Sequence, residues 1–187
     1  GHLSGVATLT AEFISTVKGT GAKIYDTRKT LPGLRELEKY AVGLGGGCNH
    51  RMGLWDGVLI KDNHLSGSRL KAPGSRVKAI KETVGAFKNK GYKNIEIEVE
   101  TLVEFQEALG AGADIIMLDN MRAEEIKKAV KLKNTKDKGR FRQVILEASG
   151  GVSLENVRKI AKTGVDRISI GKLTHSAPSI DFSLEIV

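Results

Sequence analysis

The apolar residues of this chain fall into short runs that are separated by longer stretches of mixed polarity. Each run is rich in Val, Ile or Leu and is bounded by Gly, Asp or Asn, which is the pattern of a short buried β-strand. These runs predict strands at 22–27, 56–60, 94–99, 114–118, 143–148 and 167–171.

The stretches between the runs carry apolar residues at the three- and four-residue spacing of an amphipathic helix. They predict helices at 34–44, 76–90, 102–109, 123–132 and 154–162. Ser153 directly precedes the last of these and is a suitable N-cap residue. The connections GAGADIIML and KTGVDRISI have the same form, because Gly follows the helix and Asp precedes the strand in both.

Strands that alternate with helices predict an α/β protein with a parallel sheet covered by helices. An open doubly wound sheet and a β/α barrel both have this order, and both place functional residues at the carboxyl ends of the strands. In this chain charged residues or glycines follow every predicted strand. Because only a barrel brings all these ends to one mouth, we predict a TIM-like β/α barrel, open or irregular, with about six or seven parallel strands. Residues 1–187 would form this single domain.

Composition narrows the classes of protein to be considered. The chain has 187 residues, of which 40% are hydrophobic, so it can bury a sizeable core. Its apolar runs are too short to cross a bilayer, and its N-terminus lacks the basic and then apolar order of a signal peptide. Its one cysteine, Cys48, can form no internal disulfide. We therefore expect a cytoplasmic protein without a membrane partner.

The net charge of +8 attracts polyanions in general, including phosphorylated metabolites and nucleic acids. The densest basic segment, 131–142, has a single aromatic residue, Phe141, and lacks the interleaved stacking residues of single-strand binders. We expect it to form a solvated helix end and loop, and we expect no nucleic-acid partner. A nucleic-acid-binding barrel is the alternative outside the enzymes, and salt-dependent DNA binding would indicate it.

Two glycine-containing turns, 148–152 and 169–172, follow the last two predicted strands. Glycines allow backbone N–H groups to approach a phosphate, and the helix that starts near Ser153 adds its positive end. Barrels often place a phosphate site at this position. A simple turn-forming role is the alternative explanation for the glycines.

Acidic residues lie on the third and fourth predicted strands. Glu96, Glu98 and Glu100 share one face of their strand, which indicates either a polar barrel centre or an exposed edge strand. Glu98 and Asp119 lie on consecutive strands. Their carboxylates could hold sugar hydroxyls or a Mg²⁺ ion, or they could form salt bridges with nearby cations.

A group of cations completes the candidate chemistry: Arg28, Lys29, His50, Arg51 and Lys61. Guanidinium groups suit bidentate binding of carboxylates, whereas Lys supplies a compact point charge. A zinc site that uses His50 and His64 is disfavoured by their spacing. A nucleophilic pair of Cys48 and His50 is disfavoured because no orienting third group is recognisable.

Several ordered segments together resemble one enzyme family, quinolinate phosphoribosyltransferase, which is also called nicotinate-nucleotide pyrophosphorylase (carboxylating). They are LSGVATLT, YDTRKTLPGLRELEKYAV, GGGCNHRMGLWDGVLIKDNH, IEIEVE, IIMLDNM, LEASGGVSLENV and TGVDRISIGKLTHSAP. The resemblance implies the C-terminal barrel domain of a pentosyltransferase on the de novo route to NAD. Such an enzyme converts quinolinate and phosphoribosyl pyrophosphate to nicotinate mononucleotide, pyrophosphate and CO₂, with Mg²⁺ as cofactor.

The resemblance also implies a role for each strand-end residue. The residues implied for the quinolinate carboxylates are Arg28, His50, Arg51 and Lys61. Those implied for phosphoribosyl pyrophosphate are Lys29, Glu98, Asp119, Ser149, Gly150, Gly151, Gly171 and His175. Lys61, Glu98 and Asp119 would be catalytic, and Glu98 and Asp119 would hold Mg²⁺, directly or indirectly. Asp26 is expected to orient Arg28 and Lys29.

The chain departs from the family pattern in two respects. Family members have an additional N-terminal domain of roughly a hundred residues, a common domain size, whose end supplies an arginine to a neighbouring subunit. This domain is expected to be absent here, so we expect a homodimer or higher homo-oligomer only in the full-length protein, and weak or no turnover by this chain alone. Lys172 stands where the family often has a small residue. The alternatives are a related barrel that accepts another pyridine or pyrimidine carboxylate, and a folded but inert fragment.

Overall fold

The computed structural model describes residues 1–65, 75–135 and 141–186. The helices are α1 (His2–Val17), α2 (Arg35–Leu44), α3 (Asp62–Leu65), α4 (Ser75–Asn89), α5 (Leu102–Ala111), α6 (Ala123–Thr135), α7 (Leu154–Ala161) and α8 (Lys172–His175). The strands are β1 (Lys23–Tyr25), β2 (Leu59–Ile60), β3 (Glu96–Val99), β4 (Ile115–Asp119), β5 (Ile145–Ser149) and β6 (Arg167–Ser169).

The strands form one six-stranded sheet in the order β1-β6-β5-β4-β3-β2. Every pair of neighbours is parallel. Strands β1 and β2 are the two edges, and an isolated bridge from Cys48 to Tyr25 lies on the free side of β1. The Cys48 N–H donates to the Ile24 carbonyl at 2.8 Å. The prediction of an open β/α barrel is therefore confirmed.

All six predicted strands and all five predicted helices are present, and five of the six strands are shorter than predicted, whereas β4 keeps the predicted length. The strand 56–60 is reduced to Leu59–Ile60, although the Glu96 N–H still donates to the Val58 carbonyl at 2.9 Å. Helix α7 begins after Ser153, as predicted, and the Ser153 N–H donates to the Asn156 side chain at 2.9 Å.

Helix α1 was not predicted as a helix. Its polar residue Thr10 is fully buried, and the Thr10 hydroxyl donates to the Val6 carbonyl at 2.7 Å. Gly5 is also required for packing, because a Cβ atom there would lie 1.8 Å from the Pro178 carbonyl oxygen. The helix therefore depends on tertiary contacts that its hydrophobic pattern does not reveal.

The core lies between the sheet and the helices that cover it. Fully buried apolar residues of the strands alternate with the residues that face the barrel interior. The fully buried apolar strand residues that belong to the core on the helix side of the sheet include Ile24, Ile97, Val99, Ile116, Leu118, Leu146, Ala148 and Ile168. This packing holds the carboxyl ends of the strands in fixed relative positions.

The basic segment 131–142 is only partly as expected. Helix α6 continues to Thr135, and Lys133 is buried, where its ammonium contacts Asp166 at 2.8 Å. Residues 136–140, for which we predicted a loop, lie outside the described residues. None of the helices in the described ranges has both the length and the apolar character that a membrane-spanning helix needs.

Candidate active site

A cavity of about 500 Å³ opens at the carboxyl ends of the strands. Its lining includes every residue that the sequence analysis placed in the site: Arg28, Lys29, His50, Arg51, Lys61, Glu98, Asp119, Ser149, Gly150, Gly151, Gly171 and His175. Other lining residues include Thr27, Met117, Asn120, Ser169 and Lys172. The volume is typical of a pocket for small molecules. The predicted convergence of distant segments on one mouth is therefore present.

One wall of the cavity is cationic. The Arg51 guanidinium donates to the Gly57 carbonyl at 2.8 Å, which fixes its position. Within the described part of the chain, the Nε atoms of Arg28 and Arg51 are buried without a hydrogen-bond partner. Burial and the nearby charge of Arg28 lower the pKa of Arg51. Two neighbouring guanidinium groups in one cavity wall have the charge and the planar donor geometry that suit a carboxylate or another oxyanion.

The segment that supplies Arg28 and Lys29 is held by its backbone. The Thr174 hydroxyl of α8 donates to the Lys29 carbonyl at 2.6 Å, and the Arg35 guanidinium of α2 donates to the Arg28 carbonyl at 3.3 Å. The Lys29 N–H donates to the Thr27 hydroxyl oxygen at 3.0 Å. The side chains of both cations are thus left available to the cavity, on a rigid turn.

Acidic groups occupy the adjacent wall. Glu98 of β3 is buried, and its carboxylate contacts the Lys61 ammonium at 2.8 Å. Asp119 ends β4, and the Asn120 amide donates to its carboxylate at 2.8 Å. Burial and the negative charge of Glu98 both raise the pKa of Asp119. The salt bridge anticipated as an alternative for Glu98 is present, and Glu98 and Asp119 still lie close enough to repel one another.

Glu98 and Asp119 fit a divalent cation by the chemistry of their donors. Mg²⁺ prefers carboxylate oxygens and often binds to one or two of them together with substrate phosphates. Burial is the larger cause of the raised pKa of Asp119, and the negative charge of Glu98, which a bound cation would offset, adds to it. The Lys61 ammonium already neutralises part of it.

Glycines shape the opposite side of the mouth. Gly150 and Gly151 have left-handed backbones, with φ of +87° and +61°. A Cβ atom at Gly150 would lie 2.2 Å from the Asn120 side-chain oxygen. At Gly171 it would lie 3.0 Å from the His175 ring and 3.4 Å from the Lys29 side chain. Glycine therefore lets polar side chains from three different loops approach the same space.

The floor of the cavity is a buried polar cluster below His50. The His50 Nε2 atom lies 3.1 Å from Glu96 and 3.4 Å from Glu147. The Ser169 hydroxyl donates to the same Glu147 carboxylate. Glu147 and Ser169 were not identified from the sequence, although a carboxylate within the apolar run QVILEA was an available signal.

Opposing effects act on the protonation of His50. Burial lowers its pKa, but hydrogen bonds to Glu147 and Glu96 raise it to about 9. The Arg51 N–H, which points at His50 Nδ1 from 2.8 Å, opposes a second ring proton. Two carboxylates outweigh one backbone dipole, so we expect a pKa well above the usual range. The ligand atoms of His50, Glu96 and Glu147 lie within 4.8 Å of one another and could hold a metal, and the ring proton of His50 would compete with such an ion.

The structure decides between the two alternatives for the acidic residues of β3, a polar barrel centre or an exposed edge strand, and corrects the placement of Glu100. Glu96 and Glu98 are buried in a polar barrel centre, as one alternative proposed, and β3 lies between β2 and β4 rather than at an edge. Glu100 is different, because it lies beyond the end of β3, is exposed, and contacts Arg76 at 3.3 Å.

The expectation for Asp26 is also corrected. Its carboxylate is fully buried and accepts hydrogen bonds from the Lys39 ammonium and, at 2.8 Å, from the His50 N–H. It therefore contacts the segment of His50 instead of orienting Arg28 and Lys29. Burial raises the pKa of Asp26, whereas the contact with Lys39 lowers it.

The fold and the cavity together define a parallel β/α-barrel domain whose mouth is lined by cations, carboxylates and glycines. The chain belongs to the family of the quinolinate phosphoribosyl transferase C-terminal domain, whose model matches residues 6–185. The family expected from the sequence segments is thus confirmed.

The similar proteins agree with this assignment. The chain is 46% identical over 185 residues to a Bacillus subtilis protein named "Probable nicotinate-nucleotide pyrophosphorylase (carboxylating)" and covers 59% of it. It is 44% identical over 185 residues to the nicotinate-nucleotide pyrophosphorylase (carboxylating) of Mycobacterium leprae and covers 61% of it. Both matches include 99% of this chain.

A solved structure, the nicotinate-nucleotide pyrophosphorylase from Francisella tularensis, superposes with a TM-score of 0.79 at 42% identity. The match covers 96% of this chain and 58% of that one. The chain therefore spans about three fifths of the length of the relatives that it matches.

Proposed function

We propose that this chain provides the catalytic barrel of a quinolinate phosphoribosyltransferase. In this reaction quinolinate and phosphoribosyl pyrophosphate form nicotinate mononucleotide, pyrophosphate and CO₂. The observation that carries the proposal is the division of one cavity into a wall that carries Arg28, Arg51 and Lys61 and a glycine-lined, acid-flanked side. A pyridine diacid and a phosphorylated sugar need these two surfaces next to each other.

The cationic wall would bind the two carboxylates of quinolinate. Arg28 and Arg51 both line the cavity, and a planar guanidinium group has the donor geometry that suits a carboxylate. Lys61 is a compact cation whose side chain is 43% exposed, so it can exchange part of its contact with Glu98 for a substrate carboxylate. His50 lines the cavity above the carboxylates of Glu96 and Glu147 and adds positive charge to this wall.

The opposite side would bind phosphoribosyl pyrophosphate. Backbone N–H groups of the turn Ser149–Gly151 and of Gly171 can approach a phosphate because no side chain stands in the way. Lys29 and His175 converge on Gly171 and would pair with phosphate oxygens. Glu98 and Asp119 would accept hydrogen bonds from the ribose hydroxyls. They would also hold Mg²⁺, which when bound would neutralise charge on the pyrophosphate leaving group.

The residues of the barrel would stabilise the charges that develop on the sugar and on the pyrophosphate during the reaction. The bond from the ribose carbon to pyrophosphate breaks, and positive charge develops on the sugar as the quinolinate nitrogen forms its bond to that carbon. The carboxylates of Glu98 and Asp119 stabilise the cationic sugar, and Lys29 stabilises the departing anion. The carboxylate next to the ring nitrogen then leaves as CO₂, and its bonding electrons pass to the pyridinium ring before the ring carbon takes up a proton.

We also propose that the full-length protein acts as a homo-oligomer. Helix α2 leaves Leu37, Tyr40 and Leu44 between 49% and 67% exposed, which is unusual for neighbouring large apolar side chains. Light scattering on the full-length protein tests this, and a monomer at all concentrations would contradict it. The cytoplasmic location stays a prediction.

Calorimetry with the 187-residue chain tests the substrates. Titration with quinolinate, with and without phosphoribosyl pyrophosphate and MgCl₂, should give saturable binding, and nicotinate should bind more weakly because it offers one carboxylate to the same cations. Equal affinities for the two acids would favour a different pyridine carboxylate as substrate. Salt-sensitive binding of DNA without an effect of phosphoribosyl pyrophosphate would contradict the proposal.

A further inference from the structure

A buried ion pair lies behind the cationic wall and does not itself line the cavity. Lys39 of α2 and Asp26, which follows β1, are both fully buried, and neither is among the residues that line the cavity. Their ammonium and carboxylate groups are in direct contact. Removal of two charges from water is costly, and a well-packed apolar pair is often as stable. The pair therefore calls for a role beyond packing.

The pair holds the backbone of His50 from both sides. The Lys39 ammonium donates to the His50 carbonyl at 2.8 Å, and the Asp26 carboxylate accepts from the His50 N–H at 2.8 Å. With its amide oriented to satisfy both neighbours, Asn49 donates to the second Asp26 oxygen at 2.7 Å and to the Lys39 carbonyl at 2.9 Å. Both polar groups of the His50 peptide backbone are thus satisfied by side chains.

This arrangement lies where the barrel lacks a strand ladder. Segment 48–51 fills the free side of β1, and the one bridge that the described residues show for it joins Cys48 to Tyr25. Beyond Cys48, ordinary sheet hydrogen bonds cannot fix the position of the chain. The Lys39 and Asp26 side chains provide the hydrogen bonds that a neighbouring strand would otherwise supply.

The position of His50 in turn fixes two cavity residues. Arg51 directly follows His50, so the held His50 peptide also sets where the Arg51 side chain begins, and the Arg51 guanidinium reaches the Gly57 carbonyl at 2.8 Å. The Arg51 N–H adds a 2.8 Å contact to His50 Nδ1 while that atom carries no proton. We propose that Lys39 and Asp26 are positioning residues, whose buried pair holds the His50 backbone and so directs the His50 imidazole and the Arg51 guanidinium into the cavity. The part of this inference that concerns a ligand depends on the proposed function, with quinolinate as the probe.

Lys39→Met tests the proposal, with Lys133→Met as the matched control. Lys133 is also a buried lysine on a helix, and it pairs with Asp166 at 2.8 Å. Asp166 directly precedes β6, at the end of the sheet away from the cavity. Both substitutions remove one buried ammonium from a carboxylate. Because the Asp166 side chain is 43% exposed and that of Asp26 is fully buried, Lys39→Met is expected to lose more stability, and the free energy of unfolding of each variant is measured so that the comparison is corrected for it.

Two measurements separate positioning from stability. In the absence of ligand, amide hydrogen exchange at His50 should become about tenfold faster in Lys39→Met and should not change in Lys133→Met, after correction for global stability. Calorimetry should show a loss of quinolinate affinity of about 10- to 100-fold in Lys39→Met, because small displacements of binding groups have effects of this size. The affinity for phosphoribosyl pyrophosphate should change by less than about threefold, a small energetic difference.

Each outcome decides one question. An equal loss of quinolinate affinity in Lys39→Met and Lys133→Met, or unchanged exchange at His50, would overturn the positioning role. If the unsubstituted chain binds no quinolinate, the proposed function fails, and the exchange measurement still decides the positioning role. If Lys39→Met does not fold, the uncharged double variant D26N/K39M replaces it, with the same exchange result expected. A double variant that also fails to fold would assign the pair to folding and overturn the proposal.

Discussion

Replacement of Gly150 by Ala tests how closely the loops at the cavity mouth approach one another, and the same replacement at Gly151 is the control. Both residues have left-handed backbones, so replacement by Ala costs about 1–2 kcal/mol of conformational energy in either case. The smaller conformational freedom of Ala in the unfolded chain returns about 0.4–1 kcal/mol. A Cβ atom at Gly151 would meet nothing within 4 Å. We therefore expect G151A to reduce the free energy of unfolding by about 1 kcal/mol.

At Gly150 the new methyl group would also displace Asn120. It would lie 2.2 Å from the Asn120 side-chain oxygen and 2.5 Å from its Cγ atom. Asn120 would have to turn away and lose its 2.8 Å hydrogen bond to Asp119. Loss of such a bond costs about 0.5–1.5 kcal/mol, so we expect G150A to reduce the free energy of unfolding by about 1.5–2.5 kcal/mol.

Urea unfolding with unchanged m-values measures both costs. In an Asn120→Gly background the obstructing side chain is absent, and the cost of G150A should fall to that of G151A. The double-mutant cycle should then give a coupling of about 0.5–1.5 kcal/mol between the two positions. Equal costs for G150A and G151A in the original chain, or a coupling of zero, would refute this description of the mouth.

Three further predictions concern charge. Glu96→Gln should lower the pKa of His50 from about 9 toward 6.5, which NMR titration of the ring would measure. The stability that the pairing contributes is complete below pH 6.5 and is lost as the pH rises through about 9. The free energy of unfolding of the unsubstituted chain should therefore fall over that pH range. Lys61→Ala should weaken quinolinate binding about 10- to 100-fold, whereas Glu98→Ala should weaken binding of phosphoribosyl pyrophosphate instead. Calorimetry that shows both variants weakening the same ligand equally would contradict a cavity with two separate substrate sides. Lys172→Ala should weaken binding of phosphoribosyl pyrophosphate by about two- to fivefold, and less at high salt, and no change at low salt would exclude it from the phosphate side.

The barrel could be predicted well from the sequence because the patterns that indicate its strands and helices are local. Each strand is a short apolar run and each covering helix has amphipathic spacing, so alternation alone led to a parallel sheet. The rule that strand ends meet at one mouth then brought together Arg28, Lys61, Glu98 and Gly151, which all line the cavity.

The sequence could not show which polar residues interact across the barrel. Glu147 and Ser169 are separated from His50 by about half of the chain or more, and their contact follows only from the sheet register and curvature. Lys39 lies on a helix with a polar pattern, where a lysine normally faces solvent. Helix α1 was missed because its buried positions include Gly5 and Thr10.

A crystal structure of this chain with quinolinate, phosphoribosyl pyrophosphate and Mg²⁺ would test the central claim most directly. We predict that the carboxylates of quinolinate contact Arg28, Arg51 and Lys61. The sugar phosphate should lie next to quinolinate, on the side of the same cavity that Gly150 and Gly171 line. Electron density for either ligand at another surface of the molecule, or an empty cavity at saturating concentrations of both, would contradict the account.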